Sequence, residues 1–150
     1  MGDQKGFTII ETMIAAVIFF LVLSAAIYVG SNLHISYLKD RDKIVVQENM
    51  RIALKNISRG IRQAADVTAY NGAQIVLVPS GDTIRGYRHD PKQQEAKVNV
   101  GGVYLPISSY IQSLQFDYDA ESRLVTITIK GGKGHSGIME MSTRVRPRAN

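Results

Sequence analysis

A single carboxylate interrupts an otherwise uncharged stretch near the start of the chain. Between Phe7 and Val29 the only charged residue is Glu11, and from Thr12 to Val29 there is none. An ionised side chain within an apolar helix costs several kcal/mol unless it is paired. The dipole at a helix N-terminus offsets only about 0.3–1 kcal/mol of that cost. The chemistry open to Glu11 is therefore ion pairing in a low-dielectric setting, which requires a cation within reach. Lys39 and Arg41 lie more than ~40 Å away along a helix rising ~1.5 Å per residue. The near candidates are Lys5 and the new α-amine that a cut just before Phe7 would create.

Elsewhere the reactive residue types are scattered. His34, His89 and His135 show no ligand-like spacing, and the alternation Asp117, Asp119, Glu121 lacks the glycine and distal glutamate of an EF-hand loop. Gly131 to Gly137 is rich in glycine, but a strand is expected after it, whereas a phosphate-binding P-loop leads into a helix. With no cysteine in the chain, disulfides and thiolate metal sites are excluded. No catalytic residues, no metal site and no cofactor are expected. Arg144, Arg146 and Arg148 form a basic strand end that could attract nucleic acid. Solvated charges guarding an edge strand are the simpler account.

These residues must be placed by a 150-residue chain carrying 18 Lys+Arg against 13 Asp+Glu, a net charge of +5. One membrane-length apolar segment is present and no second one, which excludes a multi-span transporter. What remains is too polar for an enzyme built around one large core. A helix over residues 7–30 would rise ~36 Å, enough to cross a hydrocarbon core of ~30 Å. The run is too long for the apolar region of a cleaved secretory signal peptide.

Helix-compatible sequence continues to about Asp66, because the first proline is Pro79. Met50, Leu54, Ile57, Ile61 and Ala65 fall at helical spacing and predict a buried stripe, with Arg51, Lys55, Arg59 and Arg62 on the other face. From Val67 the period becomes two. A hairpin is expected over 67–70 and 74–78 around Asn71-Gly72. Further strands are expected at 83–88, 98–105, 113–118, 123–130 and 138–145, with a charged loop from His89 to Glu95. The fold class is α+β, a long N-terminal helix packed on an antiparallel β-sheet.

The run Lys5-Gly6-Phe7-Thr8-Ile9-Ile10-Glu11, followed by an apolar stretch of this length, resembles the class III signal of type IV pilins and type II secretion pseudopilins. The resemblance implies cleavage by a prepilin peptidase between Gly6 and Phe7, N-methylation of Phe7, and a subunit-assembly role for Glu11 against the N-terminal amine of a neighbour. It also implies a leader at 1–6, a transmembrane and assembly helix at 7–30, an amphipathic half at 31–66 and a globular β-sheet domain at 67–150. The stretches Met50–Ala64, Ile111–Tyr118 and Ser142–Asn150 are similar to W-class minor pilins and J-class minor pseudopilins. Implied partners are other pilins or pseudopilins, the prepilin peptidase and an inner-membrane assembly platform. The implied location is the bacterial inner membrane, N-terminus in the cytoplasm, and then a periplasmic or cell-surface fibre. The competing expectation is a single-pass anchored module that binds DNA or protein without polymerising.

Overall fold

Residues without helix-breaking proline, rich in Ile, Ala, Leu and Val, form one helix, α1, over Ile9–Gln63. The computed structural model describes residues 8–70, 72–78 and 84–148. The expected cut site at Gly6 and Phe7, together with Asn71 of the expected turn, lies outside the described residues. The chain divides into two compact units, with the boundary between Leu38 and Lys39. In the first unit every described residue up to Tyr37 is exposed.

The second unit contains the remainder of α1 and eight strands. They are β1 (Asp66–Tyr70), β2 (Gln74–Val78), β3 (Ile84–Asp90), β4 (Glu95–Val100), β5 (Val103–Ser108), β6 (Ile111–Asp119), β7 (Leu124–Gly131) and β8 (Met139–Val145). The α+β layout is as expected, but the strands make two antiparallel sheets, β1-β2-β3-β4-β5 and β6-β7-β8.

Val46, Met50, Ala53, Ile57 and Ile61 of α1 are fully buried. They share one core with Ile75, Leu77, Tyr87 and Ala96 of the first sheet and Leu114, Phe116, Val125, Ile127 and Ile129 of the second. The buried stripe is rotated slightly from the expected one. Ala53 and Ala64 lie inside, whereas Leu54 and Ala65 are only half-buried. Alternation along β7 is strict, with Val125, Ile127, Ile129 and Gly131 inside. Polar ties accompany the packing. The Ser108 hydroxyl donates to the Asn49 carbonyl at 2.7 Å, and the Ser109 N–H donates to Asn49 Oδ1 at 3.2 Å.

Two expectations about loops are corrected. The single strand at 98–105 is a hairpin, because Gly101 and Gly102 both take positive φ (60° and 96°) and turn the chain. The charged loop from His89 to Glu95 shrinks to residues 91–94, since His89, Asp90 and Glu95 pair in strands. Asp90 makes that tight turn possible. Its carboxylate accepts the N–H groups of Lys92 (3.1 Å) and Gln93 (3.3 Å) and pairs with Lys97 Nζ at 2.8 Å.

The Lys97 hydrogen bond, ahead of the backbone donors, holds the Asp90 pKa below its ordinary value. A lowered folded-state pKa stabilises the fold above the unfolded value and loses that contribution as pH falls through the folded one. Acidification below about pH 4 therefore weakens the β3–β4 hairpin. Asp90→Asn should flatten, without abolishing, the acid slope of the urea midpoint, because Asp66 and Asp119 are lowered as well. A slope identical to that of the parent would show that the Asp90 cluster contributes nothing to folding.

Candidate functional site: the N-terminal helix and the basic face

Thr8 opens α1. Its carbonyl accepts the first helical N–H, that of Thr12, at 3.2 Å, and its hydroxyl accepts the Glu11 N–H at 3.3 Å. Thr8 is thus the N-cap and Glu11 the third helical residue, the Thr-x-x-Glu arrangement of a capping box. From this position a glutamate faces the positive end of the helix dipole. The Thr-x-x-Glu spacing is the sequence signal for this cap. Glu11 is exposed, and no cation pairs with its carboxylate among the described residues.

Beyond Glu11 the helix presents apolar side chains all round. An 18-residue window of α1 reaches a mean hydropathy of 2.5 with none of it buried, long and apolar enough to cross a membrane. The two Ser and Thr hydroxyls between Thr12 and Val29 turn back onto the helix. Thr12 Oγ1 donates to the Ile9 carbonyl and Ser24 Oγ to the Leu21 carbonyl, both at 2.8 Å. Each hydroxyl proton is satisfied locally, as a hydrocarbon environment requires.

The basic strand end lies in the second unit. Arg144, Arg146 and Arg148 are exposed and alternate with buried Val145 and Pro147, so all three point away from the core. The Arg148 N–H donates to the Ala64 carbonyl at 3.1 Å, which anchors the segment after β8 beside the end of α1. A groove of about 760 Å³ runs between α1 and β8, lined by Lys55, Arg59 and Arg62 on the helix and Met141, Ser142 and Thr143 on the strand. The helix cations thereby lie beside β8, a strand about eighty residues further along the sequence, although Arg144, Arg146 and Arg148 do not line the groove. That proximity was invisible in the sequence, because it depends on which strand packs beside the helix.

Several of the remaining reactive residues are held by hydrogen bonds. His89 lies on β3, its Nε2 2.9 Å from the Ile111 carbonyl. His135 and its Gly-rich loop meet the helix at Asp42, whose Oδ2 accepts the His135 N–H at 3.0 Å. Gly134, at φ +47°, lies so close to Asp42 that a Cβ there would fall 2.6 Å from Oδ2. Asp119 caps the β6–β7 turn by accepting the Glu121 N–H at 3.0 Å. His34 is exposed on α1. Among the described residues no three His, Asp or Glu side chains converge as metal ligands.

Residues 1–27 match the family described as the prokaryotic N-terminal methylation motif, a prepilin-type signal. No curated protein and no solved structure matches the chain. The match covers the N-terminal signal alone, and the exposed apolar helix that follows fits membrane anchoring.

Proposed function

We propose that this chain is a non-enzymatic structural subunit, a minor pilin or minor pseudopilin, assembled into a type IV pilus or a type II secretion pseudopilus. The observation that carries the reading is a prepilin-type signal at residues 1–27 running directly into an apolar helix with no buried residue before Val46. In this reading a prepilin peptidase removes residues 1–6 after Gly6, and Phe7 receives the methyl group. The subunit waits in the cytoplasmic membrane with its N-terminus inside, held by the assembly platform until it joins other pilins through its helix.

Glu11 supplies the register in this reading. Its carboxylate pairs with the N-terminal amine of a neighbouring Phe7 as the helix leaves the lipid. An ion pair in a low-dielectric bundle is far better than either charge alone.

Mass spectrometry of the mature N-terminus tests the processing step. The expected species begins at Phe7 and carries one added methyl group. An intact Met1, or cleavage after Ala26, would overturn the reading. Glu11→Ala should leave insertion and cleavage intact while lowering incorporation into fibres in pull-down of sheared filaments. Unchanged incorporation would remove Glu11 from assembly.

A further inference from the structure

β8 ends the second sheet, and no strand pairs with its outer edge among the described residues. Natural edge strands are commonly protected by charge or proline along their length. In β8 the charges stand at Glu140, paired with Lys130 at 3.3 Å, and at Arg144, and the three residues between them, Met141, Ser142 and Thr143, carry neither. Beside this stretch lies the groove of about 760 Å³, with Leu54 and Met141 supplying apolar surface and Lys55, Arg59 and Arg62 supplying charge. None of these three cations has a carboxylate partner among the described residues, and no carboxylate lines the groove. On the opposite face of the same edge stands exposed Arg144.

We propose that the β8 edge receives an extended, acidic segment of another protein, which adds to the second sheet as a further strand. The backbone groups of β8 directed away from β7 supply the pairing, and side-chain pockets and charge supply the selectivity. Alternate residues of an added strand point to opposite faces, ~6.7 Å apart on each face. Lys55, Arg59 and Arg62 repeat at four and three residues, so the helix rise places them ~6 and ~4.5 Å apart. Carboxylates at every second position of the guest thus meet cations at a comparable spacing, within the reach of Lys and Arg side chains. Positions on the other face meet Arg144.

A nucleic acid would use the cations but leave the strand edge and the apolar floor without a role. The geometry therefore favours a peptide. This inference concerns the second unit alone and stands or falls independently of fibre assembly.

The probe is a fluorescent peptide of alternating glutamate and valine, titrated by anisotropy into the full chain held in detergent micelles. Saturable binding is expected, together with slower hydrogen exchange at the amides of Met141 to Thr143. Arg59→Glu combined with Arg62→Glu should weaken binding about tenfold or more. Both side chains are exposed, so circular dichroism should report an unchanged fold. A lysine–valine peptide should not bind, and N-methylation of alternate glutamate–valine residues should abolish binding. Equal binding of the N-methylated peptide would overturn strand addition. Failure of the parent peptide to bind, or tighter binding of a short DNA duplex than of the peptide, would overturn the proposal as a whole.

Discussion

Ile57→Ala should destabilise the second unit by about 2–5 kcal/mol, the range for truncating a fully buried aliphatic side chain and leaving a cavity behind. Ile57 is 0% exposed on α1 and belongs to the core shared by both sheets. A domain of this size is stable by about 5–15 kcal/mol, so this one truncation removes a large fraction of the total. The helix supplies its own control. Ile44, six residues before Met50, is 65% exposed on the same element. Ile44→Ala should change stability by no more than about 0.5 kcal/mol. Denaturant titration followed by tyrosine fluorescence separates the two. Equal losses at both positions would mean that the burial described for the C-terminal half of α1 does not exist in solution.

Gly60→Ala should also destabilise, although helix propensity alone argues the opposite. Alanine in a helix interior is favoured over glycine by about 1 kcal/mol. Gly60, however, is where α1 and β3 make close contact. A Cβ added there would overlap the Tyr87 hydroxyl and fall 2.8 Å from its Cζ and 2.9 Å from its Cε2. Tyr87 is 2% exposed, and its hydroxyl donates to the Asn56 carbonyl at 3.0 Å, so the ring cannot simply swing aside. Overpacking of this kind costs about 1–3 kcal/mol, more than the propensity gain at its upper end. The expected net result is a lower melting temperature. Combining Gly60→Ala with Tyr87→Leu, which removes the ring, should cost less than the sum of the two single changes. A rise in melting temperature for Gly60→Ala alone would show that the ring moves freely.

The parts of this fold legible in the sequence are those governed by local period and local charge. The long helix followed from the absence of proline, and the alternation of Val125, Ile127 and Ile129 marked β7 as half-buried. The inner face of α1 was legible to within a residue. Small Ala53 and Gly60 are buried because strands approach the helix there, and a search for large apolar residues passes over them. The hairpin at Gly101-Gly102 had a readable signal, a glycine pair between two β-prone runs, and the apolar residues on both sides obscured it. The division into two sheets had no local signal at all. Every pairing joins strands consecutive in the sequence, so the division rests on one neighbouring pair that does not form, β5 with β6.

The candidate site divides in the same way. Glu11 announced itself as a lone charge, and its place in a capping box was also written in Thr8-x-x-Glu11. Arg144, Arg146 and Arg148 were visible as a cluster. The placing of Lys55, Arg59 and Arg62 beside the unpaired edge of β8 was not, since it is a property of tertiary packing.

The position of the first buried residue on α1 has an evolutionary consequence. Because the core begins at Val46, substitutions before residue 38 change no contact within the folded second unit. The two stretches of one continuous helix are therefore free to drift under separate pressures. The early part is released from the packing of that core, and the later part answers to the folding equilibrium of its own domain. New outer domains could be recruited onto an unchanged anchor, with the seam falling near Lys39, at no cost to either function.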